Sequence, residues 1–316
     1  MFNNPNYIEA KQHFDTYYND NILPILHNIE KTRKIYLSVF LCVCILVTLW
    51  VAQIIFTLNS KEASQISDIL RDYGVVICFA ILLLFSPMFF YRKKSKQSLL
   101  PLIANFFGEF SYTDNQQIST SIINNSIIIP EYDKLYADDN FYGFYKDVPV
   151  DIMEYKIMDK HIRIINQQRR EVITKKGQGI IFYAKMNKNF NGKTIVTKDK
   201  GLLNILTHFN GLQKVGLESI EFEKAYEIYS DNQIEARYIL TASMIQHMLE
   251  LKNNFPKIEY SFFDKYVFIN IKTKHNLFEC SSFLTSIINS KRIEKNFREL
   301  YLLFSIIDVL KLSSQR

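Results

Sequence analysis

Two long apolar runs stand close together near the start of the chain, Ile35–Leu58 and Val75–Tyr91, separated by a short polar link, Asn59–Gly74. The first has 24 residues and no charge; the second has 17. A helix rises about 1.5 Å per residue and a bilayer core is about 30 Å thick, so about 20 apolar residues span it. The pattern predicts a membrane hairpin of two transmembrane helices at 35–58 and 75–91, with an extracytoplasmic loop at 59–74. Ser38, Thr48, Gln53 and Thr57 can bond to helix backbone or to the partner helix. Ser86-Pro87 falls in the last turns of the second run, where a kink is tolerated. A pair of buried core helices would have similar runs, but basic residues flanking both favour insertion.

On either side of the hairpin the pattern is amphipathic. Residues 1–34 read as a cytosolic helix from about Tyr7, with Ile8, Tyr18, Ile22, Ile25, Leu26 and Ile29 as a broken stripe. Glu9, Asp15, Asp20 and Glu30 share it and would be repelled by anionic lipid, so helix packing is the better fate for this face. Residues 92–110 read as a cytosolic juxtamembrane helix. Ile22–Leu26 and Leu99–Ile103 are similar apolar pentads with a central proline, as if both spans ran on and paired in a short stalk.

From Ser111 the period changes. Ser126–Ile129 is a β-branched run stopped by Pro130, and Phe141–Ile157 reads as a hairpin turning near Lys146-Asp147. Arg169–Gly179 reads as strand then turn. Gly179–Met186 and Lys193–Val196 are strands joined by an Asn187–Gly192 turn. Leu202–His208 has helical character. Ser230-Asp231-Asn232-Gln233 has the capping-box form, and Thr241 stands as N-cap to a helix over Ala242–Asn253 that Pro256 ends. Ile258–Phe262 and Tyr266–Ile271 read as a hairpin turning at Asp264-Lys265. Phe283–Ile288 and Arg292–Leu312 read as helices. Without a regular βαβ alternation, residues 111–316 are expected to form a cytosolic α+β domain with mainly antiparallel sheet.

Charge orients the hairpin. Lys31, Arg33 and Lys34 precede the first run; Arg92, Lys93, Lys94 and Lys96 follow the second. The link has two basic and three acidic residues, so both termini belong in the cytoplasm. The seven flanking residues account for the whole net charge of +6. They suit anionic lipid head groups, whereas the roughly neutral remainder lacks the footprint of a nucleic-acid-binding protein. The leader is too long and too acidic for a cleaved signal peptide. Four scattered cysteines make no disulfide framework, and Cys42 and Cys44, about 200° apart on a helix, cannot share a metal ion.

Catalytic signatures are lacking: there is no nucleophile elbow, zinc-protease helix, phosphate loop or Cys-x-x-Cys. Gly177-Gln178-Gly179 continues as a strand and not as a dinucleotide fingerprint. The six histidines are dispersed and read as surface or half-buried. Asp138-Asp139-Asn140 lacks the glycine and distal glutamate of a calcium loop and reads as turn chemistry. The densest polar cluster is Tyr229–Tyr238. On a helix Asp231 and Glu235 share one face and Gln233 and Arg237 another. Arg237 could clamp an anionic ligand or a partner's carboxylate, or simply pair within the fold.

The segment Tyr229-Ser230-Asp231-Asn232-Gln233-Ile234-Glu235-Ala236-Arg237-Tyr238-Ile239-Leu240-Thr241 resembles the signature of an uncharacterised bacterial family, domain of unknown function 3137. Asp138–Gly143 with Glu154, Asn189–Thr194 and Leu277-Phe278-Glu279 resemble further blocks of it, as does the order of helix, two spans and mixed domain. Ala242-Ser243 stands where members often have proline. The resemblance implies a bacterial inner-membrane address and supplies no activity.

The expected function is a membrane-tethered binding or scaffolding module without a cofactor, for a protein partner, a small ligand or a second copy. Asp231, Glu235 and Arg237 are the candidate contacts. The alternatives are an enzyme with a site around those three residues, or an oligomeric transport or channel component; two spans without an intramembrane charge make a poor pathway alone.

Overall fold

The computed structural model describes residues 5–59, 63–114, 117–165, 168–198, 209, 211–274, 283–288 and 291–314. The helix expected at Leu202–His208 and the Leu277-Phe278-Glu279 block lie outside the described residues. Two compact units are present, one of residues 9–102 and 279–293, the other of 1–8, 103–278 and 294–316.

The first unit is helical. Helix α1 (Pro5–Tyr17) passes through a π-helical turn (Tyr18–Ile22) into α2 (Leu23–Asn59), and α3 runs from Ala63 to Asn105. Tyr17 and Leu23 keep right-handed helical dihedrals, so the wide turn does not break the rod. It falls just before Pro24, which has no N–H to give a tighter ladder. Ile22, Leu26 and Ile29 are buried, as are Leu99 and Leu100 on α3. Tyr17 Oη donates to the Leu102 carbonyl at 3.0 Å, one of the last-turn acceptors that have no intrahelical donor. The rod Pro5–Gln53 contains an 18-residue stretch of mean hydropathy 2.6 with none of it buried, long and apolar enough to cross a membrane. Leu46 and Leu49 are both more than 60% exposed there. The second apolar run lies on α3.

Beside these helices, within the same unit, Phe283–Ile288 forms bends and a turn where the sequence reads as helix. Its backbone is claimed by side chains: Arg33 Nη1 donates to the Phe283 carbonyl at 3.0 Å and Ile287 N donates to Glu30 Oε2 at 3.1 Å. Rings of Phe40 and Tyr91 pack on Phe283, at 5.6 and 5.8 Å between centroids.

The other unit is an antiparallel sheet with helices, among them the short α5 (Ile220–Glu223). Its strands are β1 (Phe110–Asp114), β2 (Lys134–Tyr145), β3 (Val148–Ile165), β4 (Gln168–Lys198), β5 (Gln213–Lys214), β6 (Tyr226–Ser230) and β7 (Ile258–Lys272). They pair in the order β1-β2-β3-β4-β6-β5, with β7 also on β4. The β2–β3 hairpin turns at Lys146-Asp147 as expected, both residues at positive φ, the geometry of a two-residue primed turn. Strand β4 is the spine. Its Gly179–Lys185 stretch pairs with β7, and its Thr194–Lys198 stretch lies between β6 and β7.

Two local expectations hold and one is corrected. Residues 258–272 fold back at Asp264, φ 51°: Lys272 N donates to the Lys257 carbonyl at 2.9 Å and Asn270 Nδ2 to Glu259 at 3.1 Å, whereas a straight strand of that length would hold its ends about 50 Å apart. Gly179–Lys185 and Thr194–Val196 of β4 pair with the two arms of this hairpin, so the chain also reverses across Asn187–Gly192, with register shifts around Phe190. The correction concerns Ser126–Ile129. Ser126 closes helix α4 (Thr120–Ser126), Ile127 is left-handed at φ 61°, and the isoleucines beyond it fill the core without joining a described strand.

Side chains alternate across the strands. On one face Met153, Tyr155, Ile157, Ile181 and Phe268 are buried against Ile123, Ile128 and Ile129 of the α4 segment. On the other lies helix α8 (Lys291–Ser314), which extends the predicted 292–312 helix by a residue or two at each end. Its Phe304 ring meets those of Tyr145, Phe107, Phe110 and Phe182 at 4.7 to 6.0 Å. Helix α7 (Ala242–Asn254) starts on the predicted cap, Thr241, whose hydroxyl accepts from Met244 N. His247 of α7 is buried, not half-exposed, with Nε2 3.2 Å from the Leu302 carbonyl and 3.0 Å from Ser305 Oγ. Burial holds its pKa below the ordinary value.

Candidate functional site

The cluster read from the sequence forms an elbow between β6 and helix α6 (Gln233–Ile239). The helix cap is Asn232, whose side chain accepts from Glu235 N at 3.1 Å, and not Ser230 as the capping-box spacing suggests. Ser230 is taken up elsewhere. Its hydroxyl donates to the Lys193 carbonyl and lies 3.0 Å from Thr194 Oγ1. Asp231 Oδ1 accepts from Lys193 N at 2.7 Å. Gly192 has φ +101°, and a Cβ there would collide with that carboxylate. The two sequence blocks 189–194 and 229–241 therefore meet as a latch that holds the bent part of β4 to the elbow.

Asp231, Glu235 and Arg237 do not converge. Asp231 serves the latch. Glu235 is half-buried, with Oε1 buried and without a hydrogen-bond partner. Arg237 is exposed and reaches only the Gln233 carbonyl, at 3.5 Å. Among the described residues no ion pair joins Arg237 to either carboxylate. Lys188 sits 3.9 Å from the centre of the Tyr238 ring, a cation–π contact, and burial lowers its pKa.

Asp138 and Asp139 lie inside β2, not in a turn. The β2–β3 register shifts between Ala137 and Asn140, so two β2 residues face one on β3, Glu154. Asp138, Asp139 and Glu154 each bring one oxygen within 4.8 Å of the others. An all-oxygen set suits a hard cation such as magnesium or calcium. Protein groups already occupy part of it: Tyr112 Oη donates to Asp139 at 2.5 Å, and Lys156 pairs with Asp138 at 3.6 Å. The cluster alone does not define a metal centre. Two residues from Asn140 along the ladder, Asp151 accepts from Asn140 Nδ2 at 2.7 Å, and burial pushes its pKa up to about 6.

Of the flanking basic residues, Lys31, Lys34, Arg92, Lys93 and Lys94 are exposed and Lys96 is half-buried. Arg33 is different. It is 7% exposed and grips Glu30 through two hydrogen bonds of 2.9 and 2.7 Å, so it is a buried ion-pair partner rather than a lipid-facing charge. The pair was not legible because Glu30 three residues earlier read as part of a polar surface.

A cleft of about 910 Å³ lies at the base of the β3–β4 ribbon. Lys175 and Lys176 of β4, Lys257 before β7, and Lys272 and Lys274 at its end line the rim. No local motif marks it, because the fold assembles it from five separate stretches, around 130, 155–157, 175–178, 256–257 and 272–274.

Antiparallel sheet, flanking helices and one exposed apolar rod define the class: a mixed domain joined to a helix able to cross a membrane. Residues 176–312 match the family model described as "Protein of unknown function (DUF3137)", which bears out the resemblance over that segment. Comparison with curated proteins gave no match. Among solved structures, the crystal structure of the mycobacterial trehalose monomycolate transport factor A is similar at a TM-score of 0.39 and 10% identity, over 69% of this chain and 94% of that one. A likeness of that size carries no argument about fold or function.

Proposed function

We propose that the protein is a membrane-anchored binding module, in which two spans hold an α+β domain at the cytoplasmic face of a bacterial inner membrane to engage a partner. The observation that carries this reading is the apolar rod. Its stretch of mean hydropathy 2.6 has no buried residue in a chain whose sheet unit has a closed core. An apolar surface of that length is costly in water and fits a bilayer. The second apolar run, on α3, supplies the return span, and the exposed lysines and arginines at the ends of both runs meet anionic head groups.

The separation of Asp231, Glu235 and Arg237 favours binding over catalysis at the elbow, since acid–base chemistry needs its groups within hydrogen-bond reach of one reacting atom. The test is in-cell crosslinking with affinity recovery of the full-length protein beside a form lacking 111–316. A partner recovered only with the full-length chain supports the module. Identical recovery from both forms overturns it.

A further inference from the structure

The lysine-rimmed cleft has a chemistry that the anchoring reading does not use. Among the described residues five lysines line it and no carboxylate does. Two of the five are compensated from outside the lining: Lys176 pairs with Asp159 at 2.9 Å and Lys272 with Glu259 at 2.7 Å. Lys175 reaches only the neutral Gln178 side chain. Lys257 and Lys274 are exposed and have no ion-pair partner among the described residues. Three cationic groups therefore face one concavity without an anion among the described residues.

The rim is built, not draped. Lys272 N donates to the Lys257 carbonyl at 2.9 Å, and Thr273 N donates to the Gln178 carbonyl at 3.3 Å. These bonds tie the start and end of β7 to each other and to β4, so the lysine stems leave from a fixed frame. The floor is of another kind. Pro130 and Pro256, both exposed, carry it, and Tyr155 and Ile157 border it while almost wholly buried. Tyr155 Oη is spent on Asn270 at 2.7 Å, so it adds no free polar group there. An apolar floor with a few convergent polar groups is the usual make-up of a small-molecule site, and about 910 Å³ lies within its usual size.

We infer that this cleft binds a phosphate-bearing ligand with an apolar body, the phosphate held by Lys175, Lys257 and Lys274 and the body against Pro130 and Pro256. A bare phosphate ion would leave most of the volume and the whole floor unused. Lysine ammonium groups hold phosphate as mobile point charges, with charge-assisted hydrogen bonds. The same chemistry is offered by a soluble nucleotide and by a phospholipid head group. The inference rests on the reading of the domain as a binding module and names the class of ligand it takes.

The test uses the full-length protein in an uncharged detergent, titrated calorimetrically with ATP and, separately, with short-chain phosphatidic acid below its micellar concentration. The double variant Lys257→Gln/Lys274→Gln removes two rim charges and leaves both ion pairs in place. Lys257→Arg/Lys274→Arg keeps the charge. Lys224→Gln, remote from the cleft, is the control. Saturable one-to-one binding is expected, weakened about tenfold or more in the glutamine variant and retained in the arginine variant and the control. Saturation by ATP identifies a soluble ligand; saturation by phosphatidic acid identifies a lipid. Binding of neither probe, equal binding by parent and glutamine variant, or loss in the arginine variant overturns the assignment. Failure of the module reading is distinguishable, because crosslinking recovery from the glutamine variant reports on the partner independently of the cleft.

Discussion

Asp151 and the Glu30–Arg33 pair show opposite consequences of burying a carboxylate. Burial pushes the Asp151 pKa up to about 6 from an ordinary value of 3.8. Between those two values the folded chain binds the proton more tightly than the unfolded one, so stability falls as pH rises through that window. Asp151→Asn, which keeps an acceptor for Asn140, is expected to raise stability by about 2 kcal/mol at pH 7, since one pKa unit is about 1.4 kcal/mol. The gain should vanish below about pH 4. Thermal unfolding of parent and variant at pH 4 and pH 7 checks it, and equal shifts at both would refute the role of the charge. For Glu30 the sign reverses. Its hydrogen bonds to Arg33 hold its pKa below the usual carboxylate value, so the pair stabilises above that value and the benefit is lost as pH falls through the folded pKa. Arg33→Ala leaves a buried carboxylate unpaired and should cost about 3–5 kcal/mol. Arg33→Met with Glu30→Gln should recover most of that, as read from melting of the full-length protein in detergent.

At the scale of elements, local chemistry and strand pairing diverge in what a sequence discloses. Thr241, the Lys146-Asp147 turn and the α8 stripe were legible because each is settled within one turn of chain. Residues 187–192 and 264–265 read as turns for the right local reason, their tolerance of left-handed backbone. Both do reverse the chain, but that the two arms of β7 pair with the two halves of β4 depends on contacts over more than 60 residues of sequence separation. The bulge that gathers Asp138, Asp139 and Glu154, and the lysine cleft, were illegible for the same reason. The β3–β4 ribbon gives a clean test of how far the pairing matters. The last β2 pairing on β3 is at Met158 and the first β7 pairing on β4 is at Gly179. Beyond Asp159 and Thr174 the two arms pair only with each other. Lys160 and Ile173 lie directly opposite. Replacing the residues between them with Asn-Gly should close a two-residue hairpin and change the melting temperature by no more than a few degrees. The Lys160–Glu171 pair lost is exposed, and such pairs contribute little. A collapse of the sheet unit's cooperative melt would mean that the tip carries stability that its pairing does not reveal.

For the whole molecule, the number of membrane crossings decides the function as well as the drawing. With one span, on Pro5–Gln53, residues 1–8 would lie across the membrane from the rest of the sheet unit, against the 5.1 Å ring contact of Tyr7 with Tyr301. With two spans, 35–58 and 75–91, they share a side. The charge pattern favours the second: basic residues stand at the outer end of each run, and the link is slightly acidic. Single-cysteine reporters in a background with all four native cysteines replaced by alanine separate the cases. Reporters at Asn3, Ser64 and Lys257 are expected to divide: Ser64→Cys labelled by an impermeant maleimide in intact cells, and Asn3→Cys and Lys257→Cys only after permeabilisation. Labelling at Lys257→Cys in intact cells, with Asn3→Cys protected, would establish a single crossing and place the lysine cleft outside the cytoplasm. A soluble cytoplasmic nucleotide could not then reach it, and a lipid ligand would become the surviving form of the cleft assignment. Protection of Asn3→Cys and Lys257→Cys together keeps both ligand sources in play and fixes the cytoplasm as the compartment in which the partner must be sought.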